Sequence, residues 1–117
     1  GHEMPVIYSK EKNKCAPLIL EKNFSLGERS KSPPKINTFH LNKGESLVMY
    51  TDGILELTTD GSVMSERRFF KKVQTVLSEL TGPFDSAQNL FNSMILDSNS
   101  DTSHLKDDVT LTIFSRL

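Results

Sequence analysis

One cysteine, Cys15, stands among the 117 residues of the chain. Without a second thiol there is no internal disulfide, and without another Cys or a His-rich cluster nearby there is no zinc-ligand spacing. Cys15 is therefore expected to be a buried or incidental thiol rather than a reactive one. An excess of either charge is also lacking: 14 basic and 15 acidic residues leave a formal net charge of -1. That balance gives no footprint for nucleic acid or an anionic membrane. No apolar run approaches the roughly 20 residues that span a bilayer, and the opening GHEMPVIYSK holds no signal-peptide core. The segment is expected to be cytoplasmic, with no nucleic-acid partner and no membrane contact of its own. No internal repeat and no Gly-rich loop of the nucleotide or dinucleotide type is present. The remaining composition, 36% hydrophobic and 25% charged, suits one ordinary globular domain over residues 1–117.

Two short β-prone runs, MPVIYS (4–9) and APLILE (16–21), flank a polar stretch whose Asn13 suits a turn, and predict a hairpin. Residues 22–35 have no periodicity and contain Pro33 and Pro34, which read as a loop. INTFHL (36–41) and SLVMYT (46–51) flank NKGE, where Gly44 can take a left-handed conformation, and predict a second hairpin. In SLVMYT both faces are apolar, as in a strand covered on both sides, so this strand is expected to be central. From Ser65 the period turns helical. Phe69, Phe70, Val73, Val76, Leu77 and Leu80 form one stripe, with Ser65 as N-cap and Gly82 and Pro83 as the stop. A second helix opens at Asp85, with Gln88 completing a capping-box-like pair and Ala87, Leu90, Phe91, Met94 and Ile95 as its apolar stripe. At helical spacing both stripes read as core. After a polar loop, VTLTIF (109–114) alternates as a closing strand. The order predicts an α+β fold, a mostly antiparallel sheet with two packed helices.

Asp52 directly follows the central strand, and Asp107 and Asp108 directly precede the last one. If the two strands run antiparallel, all three carboxylates come to one edge of the sheet. Hard divalent ions such as Mg²⁺ and Mn²⁺ take oxygen ligands of this kind. A pair of them about 4 Å apart can acidify a water and clamp the oxygens of a transferring phosphoryl group. Asp-Gly and Asp-Asp at strand ends are common as solvated turn and cap residues, so on the residue types alone that structural reading stands ahead of a metal site.

LNKGESLVMYTDGILE, with its glycine-containing turn, apolar strand, TDG and a Glu three residues past the Gly, is similar to the signature of the SpoIIE-like branch of the metal-dependent (PPM-type) protein phosphatases. GHEMPVIY resembles that branch's Gly-His-x-x-Pro strand, SLGE its Leu-Gly loop, and KDDVTLTIF its terminal DD-[IV]-T strand. The matches fall in family order and cover nearly the whole chain.

The resemblance implies the C-terminal half of an α-β-β-α phosphatase sandwich that hydrolyses phosphoserine or phosphothreonine by a metal-activated water, with two Mn²⁺ or Mg²⁺ ions in the complete domain. Asp52 and Asp107 are then metal ligands, and Asp108 either binds or holds a coordinated water. Gly53 gives the close backbone turn beside the ion. Glu56 matches the motif as a helix-start residue or a support behind the ligands rather than as a ligand. His2 matches without an assigned role, packing or hydrogen bonding outweighing general acid. His104 lies outside the motif and reads as a solvated loop histidine ahead of a proton donor; His40 reads as structural, in a strand. Arg67 and Arg68, at a helix start, read as a solvated face ahead of a phosphate contact. The implied partner is a phosphoprotein substrate such as a STAS-type anti-anti-sigma regulator. The family's earlier half carries an acidic Gly-Asp motif that this chain does not contain. The expectation is therefore of weak or no activity for the chain alone, and of exposed sheet edges that invite self-association. The alternative reading is a non-catalytic phosphatase-like interaction module.

Overall fold

The computed structural model describes residues 3–20, 33–56, 58–59, 62–79, 85–97 and 108–117. Strands β1 (Val6–Ser9), β2 (Lys14–Pro17), β3 (Glu45–Tyr50) and β6 (Leu111–Ser115) form one antiparallel sheet in the order β2-β1-β3-β6. A two-residue ladder, β4 (Thr58–Thr59) with β5 (Ser62–Val63), is a separate small sheet that the sequence reading did not mark. Helices α1 (Glu66–Glu79) and α2 (Ser86–Asp97) complete the described elements. The α+β fold expected from the sequence is the one observed.

The apolar alternation decides which face of the sheet meets the helices. Val6, Tyr8, Val48 and Tyr50 are at most 2% exposed and share the core with Phe69, Val73 and Leu77 of α1 and Leu90 and Met94 of α2. Leu111 and Ile113 of β6 lie in register on that face, opposite Tyr50 and Val48, and pack against the same core. The Tyr50 and Phe69 rings meet at 4.5 Å with a 49° tilt, within the range that favours aromatic pairs. The opposite face carries Ile7, Leu47 and Phe114 in one cross-strand row; Leu47 is buried, whereas Phe114 is 55% exposed.

The first hairpin forms around Asn13, which takes the left-handed φ of 46°. Its second strand is shifted to Lys14–Pro17, pairing Ser9 with Lys14, so most of 16–21 lies beyond it. The second hairpin does not form. Residues 33–42 are irregular, with Ile36 91% exposed. Both edges of β3 are occupied, one by β1 and the other by β6, so INTFHL has no ladder to join. Gly44 nevertheless adopts the left-handed φ of 80°. It closes the far end of the sheet, its N–H donating to Arg116 O (2.8 Å) and its carbonyl accepting from Lys10 N (3.0 Å). His40 is accordingly in this irregular run rather than in a strand, with Nε2 3.1 Å from Arg116 Nη1.

Helix α1 starts as the sequence predicts, Arg68 N donating to Ser65 Oγ at 3.2 Å; its predicted stop lies outside the described residues. The predicted capping box of α2 is absent: Asp85 has a left-handed φ of 62°, unlike the extended backbone of a capping residue. Gln88 Nε2 instead donates forward to Asn92 Oδ1, one turn on, at 2.9 Å.

Cys15 is half-buried, its Sγ 3.6 Å from Phe70 O, and burial pushes its thiol up to about 12. At pH 8 only about one thiol in ten thousand is then thiolate, the nucleophilic form. Labelling of the folded chain by a thiol reagent at pH 8 should run at least tenfold slower than in denaturant; equal rates would show Cys15 to be free and reactive.

Candidate functional site

One end of the sheet gathers three segments that the sequence marks. Because β1 and β6 both run antiparallel to β3, the starts of β1 and β6 lie beside the end of β3. Glu3 N donates to Tyr50 O at 3.2 Å, placing Glu3 there. Thr51 and Thr110 continue the register past the Tyr50–Leu111 pair, Thr51 N donating to Thr110 O at 3.1 Å.

Beyond Thr51 the chain leaves the sheet in a 3₁₀ turn, Asp52–Ile54. The turn is closed by Ile54 N to Thr51 O (3.1 Å) and Leu55 N to Asp52 O (2.9 Å). Ile54 is fully buried and anchors the turn in the core, while Asp52 is half-buried at its outer side. Among the described residues the Asp52 carboxylate has no hydrogen-bond or ion-pair partner.

Asp108 comes to the same place from the other chain direction. Its carbonyl accepts a hydrogen bond from Thr51 Oγ1 at 3.4 Å, and Thr110 N donates to the same hydroxyl at 2.9 Å. Gly53 is buried against the backbone of this segment. A Cβ there would run into Asp108 O, and would stand 3.2 Å from Asp108 C and 3.1 Å from Val109 Cγ2. The backbone of Asp108 therefore touches the residues on both sides of Asp52. The Asp108 side chain is exposed.

Of the residues singled out from sequence, Asp52, Gly53 and Asp108 are brought together. Glu56 is exposed in the turn after the 3₁₀ segment and starts no helix, since α1 begins ten residues later at Glu66. Asp107, His2 and His104 lie outside the described residues. Arg67 and Arg68 are exposed on the first turn of α1. Thr51 was not singled out, although it has the most hydrogen bonds at this edge. Its sequence signals were its place in the TDG motif and its position before an Asp-Gly turn at a strand end.

The donors are carboxylate oxygens, with backbone carbonyls beside them, which suits a hard divalent cation and not a soft one. Among the described residues there is no group of three or more His, Cys, Asp or Glu that could hold a metal ion; Asp107, the third carboxylate of the motif, lies outside them. Behind the edge, burial first, then the charges of Glu66 and Glu3, push the Tyr50 phenol up to about 12. Tyr50 is thus a neutral packing group, not an acid or base near neutral pH. A shallow groove of about 200 Å³, lined by Ala87, Gln88, Phe91, Val109 and Leu111, opens between α2 and β6 next to Asp108. No helix among the described residues is long and apolar enough to cross a membrane.

No curated protein and no solved structure gives a significant match to the chain. The model of the family described as Stage II sporulation protein E (SpoIIE) matches residues 1–117, the whole of the sequence, and the chain belongs to that family.

Proposed function

We propose that this chain is the C-terminal portion of a metal-dependent protein serine/threonine phosphatase domain, and that Asp52, Asp107 and Asp108 supply one side of its metal site. The observation that carries the reading is the contact of the Asp108 backbone with both Thr51 and Gly53. That contact brings two acidic motifs, 55 positions apart in sequence, to one edge of the sheet. Membership of a phosphatase family and an all-oxygen donor set point the same way.

In this reading Asp52 and Asp107 are ligands to Mn²⁺ or Mg²⁺, and Asp108 ligates or orients water. Bound there, the ions acidify water and offset charge on the phosphoryl oxygens. The protein side of the chemistry is positional. The 3₁₀ turn holds Asp52 by burying Ile54, and the β3–β6 ladder brings the backbone of Asp108 beside that turn. The overall reaction is hydrolysis: water oxygen joins phosphorus, the bond from phosphorus to the serine or threonine oxygen breaks, and that oxygen leaves with a proton. The partner this reading assigns is a phosphoprotein, with a small STAS-type regulator as the first substrate to try.

The test is release of phosphate from a phosphoserine protein by the protein carrying the complete domain, with Mn²⁺ and then with excess chelator. The expected result is turnover with Mn²⁺ that the chelator abolishes and added Mn²⁺ restores. Turnover that survives removal of all divalent metal would overturn the metal assignment. A folded protein with no turnover in Mn²⁺ would favour a non-catalytic interaction module.

A further inference from the structure

The hydrogen bonds of Thr51 depart from those of a regular ladder in one respect. In an antiparallel hydrogen-bonded pair each residue both donates to and accepts from the backbone of the other. The pair Thr51 and Thr110 keeps the first bond, Thr51 N to Thr110 O at 3.1 Å. The second is rerouted, Thr110 N donating to the Thr51 hydroxyl at 2.9 Å. The Thr51 carbonyl is instead engaged by Ile54 N at 3.1 Å, the bond that opens the turn bearing Asp52. A hydroxyl can accept and donate at once, and this one also donates to Asp108 O at 3.4 Å.

We propose that Thr51 is a positioning residue of the metal site: its hydroxyl replaces its own carbonyl in the ladder, so that one residue fixes the turn carrying Asp52 and the backbone of Asp108 together. Without the hydroxyl two outcomes are open to the chain. Thr110 N is left unpaired, or the Thr51 carbonyl returns to the ladder and releases Ile54 N. Either change moves Asp52 relative to Asp108, because the Thr51 hydroxyl is bonded to both Asp108 O and Thr110 N while its carbonyl holds the turn through Ile54 N. Thr51 needs no contact with the ion or the substrate to have this effect.

The inference rests on the metal-site reading proposed above, and its test separates the two. Mn²⁺ affinity is measured on the complete domain from the electron paramagnetic resonance signal of the free ion, for wild type, Thr51→Val, Thr51→Ser and Asp52→Asn. Residues that orient ligands typically change metal affinity by roughly 10- to 100-fold when lost. Thr51→Val, which keeps the shape and removes the hydroxyl, should weaken Mn²⁺ binding by about that factor. Thr51→Ser should stay within about threefold of wild type. In the 117-residue chain either the Thr110 amide or the Ile54 amide should exchange faster in Thr51→Val, and both should exchange at the wild-type rate in Thr51→Ser. Should Thr51→Val fail to fold, Thr51→Ala takes its place with the same outcomes. Wild-type affinity in the hydroxyl-free variant, or equal loss in the serine variant, overturns the role of Thr51 while leaving the metal site standing. Wild-type affinity in Asp52→Asn overturns both.

Discussion

Asp52→Asn in the protein carrying the complete domain should lower Mn²⁺-dependent turnover by at least about 100-fold while leaving the fold intact. Asparagine keeps the volume and one oxygen of aspartate but removes the negative charge that balances a divalent cation. Charge stabilisation by a catalytic ion is worth several kcal/mol, which corresponds to roughly 10²- to 10³-fold in rate. The fold should tolerate the change because Asp52 is half-buried at the outer side of its turn and its carboxylate has no partner among the described residues. The turn is held by backbone hydrogen bonds and by Ile54 instead. Initial rates across an Mn²⁺ series, with the melting temperature of each protein, provide the check. Equal turnover in wild type and variant would remove Asp52 from the site. A rate recovered fully at high Mn²⁺ would reduce its role to affinity.

Gly53→Ala should be the most damaging single-methyl change at this edge. The added Cβ meets Asp108 O, a backbone atom, and Val109 Cγ2 at 3.1 Å. A flexible side chain could swing aside, but the carbonyl of Asp108 sits just ahead of β6 and takes the Thr51 hydroxyl bond. The start of β6 must therefore move as a unit. The φ of Gly53 is not in the left-handed region, which Gly44 alone occupies among the described glycines. The substitution thus tests space and not backbone strain. Overpacking of this kind typically costs about 1–3 kcal/mol. Because the shift separates Asp52 from Asp108, the Mn²⁺ requirement should rise as well, by about tenfold or more if the loss resembles that of a ligand-orienting contact. Thermal melts and Mn²⁺ activation curves measure the two effects separately. A variant with wild-type stability and wild-type Mn²⁺ requirement would show that the close approach does not govern the site.

Legibility from sequence followed the range of the interactions. Helix α1 was readable in detail because its determinants are local: Ser65 caps within three residues, and Phe69, Val73 and Leu77 repeat every fourth position. Strand β3 was readable as central because Leu47, Val48 and Tyr50 leave it no polar face. Its partners were not readable. The run 36–41 has as much strand character as 14–17, and whether it pairs depends on which edges are already taken, a property of the assembled sheet. The capping box of α2 failed for a similar reason. Asp85 and Gln88 have suitable side chains at suitable spacing, but the backbone reaches Asp85 with φ of 62° and Gln88 finds Asn92 instead.

The candidate site divides along the same line. Motif chemistry named Asp52, Asp107 and Asp108 and supplied a conditional: the three carboxylates meet if the last strand lies antiparallel beside the central one, Asp107 lying outside the described residues. The structure satisfies that condition through five residue pairs between β3 and β6, from Ser46 with Ser115 to Tyr50 with Leu111. Thr51 stands in the TDG motif, but its role could not be read beforehand, because one hydroxyl before a turn has many local partners and its actual ones, Asp108 and Thr110, are 57 and 59 residues away.

Residue order alone thus determines the two helices, the central and closing strands, their apolar faces and the family of this protein, since each is written in local periodicity or in short motifs. Which strands pair, how closely Gly53 approaches Asp108, and how Thr51 replaces its own carbonyl in the ladder are decided only in the folded sheet. There, edges already occupied and backbone groups that must find partners leave each segment a single place.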